Sequence, residues 1–143
     1  MKVIYSNSPK MTEEAGFEFA KELKKGDVVA LFGDLGAGKT SFVRGIAKAI
    51  TPDADVTSPT FTIMQEYEGN PPIYHFDMYR IDSFEDLYNT GFFDYMESGG
   101  ICIIEWSEKI LYALENYIKV TIEKTNKENE RIIKIEKVMG GQR

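Results

Sequence analysis

The sequence predicts an α/β fold: a mixed, mostly parallel central sheet with flanking helices and antiparallel hairpins. Three observations carry that reading. VVALF at 28–32 and ICII at 101–104 are continuous apolar runs, as found in strands buried on both faces of a parallel sheet. Between them, Phe42, Val43, Ile46, Ala47 and Ile50 recur at the 3.6-residue period of a helix lying on a sheet. Near the C-terminus, two alternating segments flank a polar turn, the pattern of a hairpin.

Taken in order, residues 2–5 form a short strand, and Asn7-Ser8-Pro9 turns into a helix that Thr12 can cap, with Glu13 and Glu14 in its first turn. Phe17, Phe19, Ala20 and Leu23 supply its apolar face, and Lys24-Lys25-Gly26 its stop, with cations at the negative end. The strand 28–32 follows. The next helix starts near Lys39 and ends at Thr51-Pro52. Residues 53–59 are polar and aperiodic, a loop. Residues 61–67 and 73–79 are strands joined by Glu68-Gly69-Asn70-Pro71-Pro72 into an antiparallel hairpin. Ser83 with Asp86 is a capping pattern for a helix carrying Leu87 and Tyr88, and a second short helix covers 92–96 before Gly99-Gly100. Residues 101–104 form a central parallel strand ending at Glu105. A helical turn or two spans 107–114. The hairpin 118–124 and 131–138 places Ile118, Val120 and Ile122 on one face.

The chain has 143 residues, 43% of them hydrophobic and 28% charged, with one cysteine. That suits one globular unit over 1–139 with its own core and a frayed tail at 140–143. No apolar run approaches the roughly 20 residues needed to span a bilayer. No secretory signal is present at the start, and the expectation is a soluble cytoplasmic protein without a membrane partner. Cys102, inside an Ile-rich run, reads as a small buried hydrophobe in a reducing compartment. The net charge of -6 disfavours direct wrapping of nucleic acid, whose backbone seeks a cationic surface. If RNA is involved, a partner holds it.

Gly33-Asp34-Leu35-Gly36-Ala37-Gly38-Lys39-Thr40 matches G-x-x-x-x-G-K-[ST] in full, between an apolar strand and an amphipathic helix. Glycines let backbone amides curl around phosphate oxygens, and the following helix N-terminus favours an anion. In such a P-loop, Lys39 reaches the β and γ phosphates, the Thr40 hydroxyl ligates Mg²⁺, and Ser41 bonds the α phosphate. Gly33, Gly36, Ala37 and Gly38 supply backbone. The plain alternative, a tight glycine turn before a helix, leaves Lys39 and Thr40 unexplained.

Glu105 stands at the carboxyl end of a central strand, where ligands gather in open α/β sheets, and an acid there can hold Mg²⁺ directly or through water. A solvated strand end is the alternative. In IYHFDMYR, strand alternation puts His75 and Asp77 on one face. Asp77 can place or deprotonate a water, while His75 either orients its neighbour or is a hydrogen-bonded structural residue. One His and one Cys cannot supply a recognisable zinc set. Thr57 or Thr60, in the loop after the nucleotide helix, can sense nucleotide state through a hydroxyl; a Ser-Pro turn is the alternative. Trp106 either closes over the nucleotide or packs into the core.

GDLGAGKTSFVRG at 33–45, TSPTF at 57–61, YHFDMYR at 74–80 and IEWSE at 104–108, in this order and spacing, resemble the TsaE (YjeE) family of P-loop ATPases in tRNA threonylcarbamoyladenosine biosynthesis. The resemblance implies a P-loop NTPase-like fold and a MgATP-dependent ATPase, slow alone. It implies action with TsaD and TsaB partners in threonylcarbamoylation of adenosine 37 of tRNA, without transferring the group itself. It puts phosphates at residues 36–41, Mg²⁺ at Thr40 and Glu105, a switch-like loop at residues 57–60, catalytic or coupling importance at Asp77, Trp106 near the nucleotide and the segment around Thr12 near the base; Lys39, Glu105 and Thr60 are expected to serve catalysis with Asp77. ATP rather than GTP rests on the resemblance, since no N-K-x-D segment is present. Two other functions fit a P-loop of this size: a small-molecule kinase, against which the lack of an Arg-rich lid counts, and a non-catalytic nucleotide-gated binding module.

Overall fold

The computed structural model describes residues 1–34, 36–56 and 63–140. Seven strands form one sheet: β1 (Lys2–Ser6), β2 (Val28–Phe32), β3 (Met64–Tyr67), β4 (Ile73–Asp77), β5 (Ile101–Glu105), β6 (Tyr117–Lys124) and β7 (Arg131–Val138), in the order β1-β7-β6-β2-β5-β4-β3. Strands β6, β2, β5 and β4 pair in parallel, while β7 and β3 run against their neighbours. All strands except β7 and β3 therefore point the same way, which makes the sheet mixed and mostly parallel.

Two helices, α1 (Pro9–Ala20) and α2 (Lys39–Ile50), cover one face over Val29, Leu31, Ile101, Ile103, Val120 and Ile122. The other face, built on Ala30, Phe76, Cys102 and Ile104, is covered by α3 (Phe84–Asn89), α4 (Phe92–Glu97) and two 3₁₀ turns at Ser107–Lys109 and Leu111–Ala113. The apolar runs at 28–32 and 101–104 are buried on both faces because helices cover both. Helices α1 and α2 cross closely: a Cβ at Gly16 would meet the Phe42 carbonyl, and one at Gly45 the Glu13 carbonyl. A Lys48–Glu13 ion pair of 3.1 Å ties the same two helices.

Several boundaries differ from the sequence expectation. The cap of α1 is Ser8, whose hydroxyl accepts from the Met11 amide at 3.1 Å, and not Thr12. Proline at the first helical position lacks the amide that would go unpaired there and has its φ already set, so the helix starts at Pro9. Thr12 and the two glutamates are thus carried past the first turn. The α-helix ends at Ala20, and the chain tightens through Lys21, Glu22 and Leu23 with i to i−3 bonds before Gly26 takes φ +87°. Strand β4 stops at Asp77, two residues early, because the Asp77 carboxylate accepts from the Tyr79 amide at 2.9 Å and turns the chain. The Ser83 cap of α3 is as expected, accepting from the Asp86 amide. At the tail, the Gly140 amide donates to the Asn116 side chain, so that residue is held; 141–143 lie outside the described residues. Residues 57–62, including Thr57, Thr60 and the start of the expected strand 61–67, also lie outside them.

Candidate functional site

Strand alternation decides which side chains reach the carboxyl edge on the α2 side. In β5, Ile101 and Ile103 face α1 and α2, so Glu105 faces that way too; in β4, Ile73, His75 and Asp77 share that face. The register sets Asp77 beside Glu105 on neighbouring strands. Helix α2 begins at this same edge, seven residues after the end of β2. The sheet thus brings two carboxylates opposite a helix N-terminus.

The space between them is a cleft of about 780 Å³. Residues 36–41 form one wall; Asp77, Tyr79, Glu105 and Trp106 form the opposite one; Ser8, Pro9, Thr12, Asn129 and Arg131 close the end near α1. The N-cap of α2 is Gly38 at φ +107°, with no side chain capping the helix. A left-handed glycine there leaves the first amides of α2 open toward the cleft, a ready site for an anion. Gly33 does not line the cleft; it lets the chain leave β2 close against β6, since a Cβ there would lie 2.5 Å from the Ile122 carbonyl oxygen.

Lys39 places its ammonium 5.7 Å from the centroid of the Trp106 ring, so a cation sits between the loop and the indole. Trp106 has φ +60°, the one non-glycine residue described with positive φ, in a region where a bulky residue is strained. That backbone turn throws the indole outward, 38% exposed and 4.8 Å from the Tyr79 ring, which sets aside packing in the core. Thr12 lines the cleft, but its hydroxyl is bonded to the buried Ser6 hydroxyl at 2.8 Å, and its methyl is what faces Gly38.

Glu105 is not a solvated strand end: it is 6% exposed, and its Oε2 lies 2.6 Å from Nε2 of the fully buried His75. Nδ1 of His75 is 2.9 Å from the Tyr67 hydroxyl on β3. His75 therefore partners Glu105 across the strands rather than its sequence neighbour Asp77. Thr40 and Glu105 offer a hydroxyl and a carboxylate to one cleft, hard oxygen donors of the type Mg²⁺ takes. Among the described residues no group of three His, Cys, Asp or Glu stands together as a metal cage. The donor set fits a cation that completes its shell with phosphate and water.

Sequence reading missed Arg131 and Asn129, in a hairpin that shows no motif. Arg131 donates through Nε to the Ala37 carbonyl at 3.0 Å and through Nη2 to the Gly36 carbonyl at 3.4 Å, while Nη1 serves the Glu128 and Glu130 carbonyls. The signal was topological: the first residue of an antiparallel strand in this sheet arrives at the edge where the parallel strands end. Finding it requires knowing that β7 lies two strands from β2.

Among the described residues no helix is long and apolar enough to cross a membrane. The Cys102 thiol is buried and pushed up to about 12 by desolvation, as a small core hydrophobe should be.

Known proteins resemble this chain in sequence and in overall fold. A family model described as "Threonylcarbamoyl adenosine biosynthesis protein TsaE" matches residues 6–133. The tRNA threonylcarbamoyladenosine biosynthesis protein TsaE of Rickettsia typhi is 42% identical over 133 residues, covering 92% of each chain. That of Treponema pallidum is 39% identical over 112 residues, 78% of this chain and 83% of the relative. The crystal structure of YdiB from Bacillus subtilis superposes with a TM-score of 0.78 at 32% identity, over 97% of this chain and 86% of that one. With a family model running from β1 into β7 and relatives matching over most of their length, the chain belongs to the TsaE family.

Proposed function

We propose that residues 1–139 act as one P-loop NTPase-like unit that binds and hydrolyses MgATP in tRNA threonylcarbamoyladenosine biosynthesis, in the cytoplasm. In this reading it works with TsaD and TsaB partners on adenosine 37 and cycles their assembly, without itself transferring the group. The observation that carries it is the uncapped N-terminus of α2, with Lys39 and Thr40 in its first turn, facing Asp77 and Glu105 across one cleft. The names of the relatives supply the pathway.

Each residue then has a task. The open amides of the loop and α2 bind the phosphates, and Lys39 neutralises the β and γ oxygens as charge moves between them. Thr40 and Glu105 would hold Mg²⁺, which when bound adds electrophilic stabilisation of the phosphates. Asp77, already accepting from the Tyr79 amide, orients the attacking water with its other oxygen. Trp106 covers the nucleotide beside Lys39, and the methyl of Thr12 packs near the base. Thr60 couples nucleotide state to the surface that partners meet. A kinase needs cations that close over the acceptor; Arg131, on this cleft, is committed to backbone carbonyls.

The test is capture of purified TsaD and TsaB by the tagged chain with and without MgATP, repeated with Lys39→Ala. The reading expects nucleotide-dependent capture, lost in the variant. Capture that ignores both nucleotide and Lys39 would contradict it.

A further inference from the structure

His75 is a buried ionisable side chain beneath the cleft that the proposed chemistry leaves unused. It is fully buried in the middle of β4, with its registered neighbour Ile103 on β5, two residues short of Glu105. Its ring reaches diagonally to Glu105, with Nε2 and Oε2 2.6 Å apart, and back to the Tyr67 hydroxyl at 2.9 Å. Tyr67 is 5% exposed, and its hydroxyl donates to Oε1 of Gln65 at 3.1 Å. A buried polar chain of this length is retained only where each member is satisfied, and no described buried side-chain nitrogen or oxygen lacks a partner.

We infer that His75 and Tyr67 are positioning residues that set the Glu105 carboxylate, so that one oxygen is held inward and the other is presented to the cation of a nucleotide in the cleft. The inference rests on the assignment of Glu105 to Mg²⁺. A glutamate side chain has three torsions, and its last is broad and poorly fixed by packing. The bond from His75 removes that freedom by engaging Oε2, leaving Oε1 for the cleft. Nε2 faces the carboxylate, and Nδ1 faces the oxygen of the Tyr67 hydroxyl, whose own proton goes to Gln65. Tyr67 thereby holds the ring in place and His75 fixes the carboxylate. A metal-binding carboxylate oriented by an outer hydrogen bond commonly loses 10- to 100-fold in metal affinity when that bond is removed.

The experiment uses the full chain and a fluorescent ADP analogue, titrated with Mg²⁺ at fixed subsaturating nucleotide, with thermal melting run alongside. His75→Met removes the donor at similar volume, His75→Gln keeps an N–H near the Nε2 position, and Tyr67→Phe keeps the ring. The expected result is a Mg²⁺ midpoint raised about 10-fold in His75→Met, with metal-free nucleotide affinity at its wild-type value and substantial recovery in His75→Gln. Tyr67→Phe should shift the midpoint the same way by roughly threefold, the scale of one neutral hydrogen bond. It also serves as the test if His75→Met fails to fold. A wild-type midpoint in His75→Met, or in Tyr67→Phe where only that variant folds, overturns the inference while Glu105→Gln still shifts it. If Glu105→Gln itself leaves the Mg²⁺ response unchanged, the metal assignment falls and the inference with it.

Discussion

Replacing Arg131 by alanine separates hairpin stability from nucleotide binding. Its guanidinium makes two kinds of bond: Nη1 closes the turn through the Glu128 and Glu130 carbonyls, each at 2.9 Å, while Nε and Nη2 reach the Ala37 and Gly36 carbonyls of the glycine loop. Holding those two carbonyls turns the loop's peptide planes so that oxygen dipoles point at the guanidinium and not at an incoming phosphate. A hydrogen bond with one charged partner contributes about 1.5–3 kcal/mol when buried. Arg131 is partly exposed and the Nη2 contact is long, so the pair that touches the loop is worth about 1–2 kcal/mol after screening. At about 1.4 kcal/mol per tenfold, Arg131→Ala should weaken nucleotide binding roughly 5- to 30-fold. Arg131→Lys, which can serve one carbonyl but not a fork, should fall between. The assay is equilibrium titration with a fluorescent ATP analogue, with urea unfolding to read the hairpin's share. Wild-type affinity in Arg131→Ala, alongside lowered stability, would refute the argument that the guanidinium pre-sets the loop.

Asp77→Asn keeps an acceptor for the Tyr79 amide but removes the charge, so partner-stimulated ATP hydrolysis should fall by about 100-fold or more with nucleotide affinity within about threefold; steady-state phosphate release checks it. Gly45→Ala should cost about 1–3 kcal/mol in urea unfolding, because its methyl meets the Glu13 carbonyl and forces α1 off α2. The Cys102 thiol, raised from 9.0 to about 12, should resist a thiol reagent in the native state at pH 8 and react on unfolding. For the same reason its contribution to stability is whole below pH 9 and falls as pH rises toward 12, since the unfolded thiol ionises first. Cys102→Ala should flatten that part of the stability curve measured by urea midpoints.

What the sequence made legible was local or periodic. The double-sided burial of 28–32 and 101–104, the apolar face of α2 and the Ser83 cap each depend on residues within a few positions of one another. The pairing of β6 with β2 did not show, because alternation at 118–122 fits any strand with one covered face, and sheet order is set by long-range packing. Arg131 was hidden with it. Strand parity puts His75 on Asp77's face, as the structure has it, yet its partner is on another strand and follows only from the register of β4 against β5. The segment IEWSE suits Trp106 in core or cleft alike; the positive φ decides between them, and nothing in those five residues encodes that dihedral.

If the cleft at the N-terminus of α2 takes MgATP, the ligand arrives beside the chain's single tryptophan, which stands at that cleft. Intrinsic fluorescence of Trp106, followed while MgATP is added to the wild-type chain and to Lys39→Ala, tests it directly. A saturable change in the wild type that is lost, or displaced at least tenfold, in the variant is the predicted result. No change in the wild type, or the same curve in both, would contradict it.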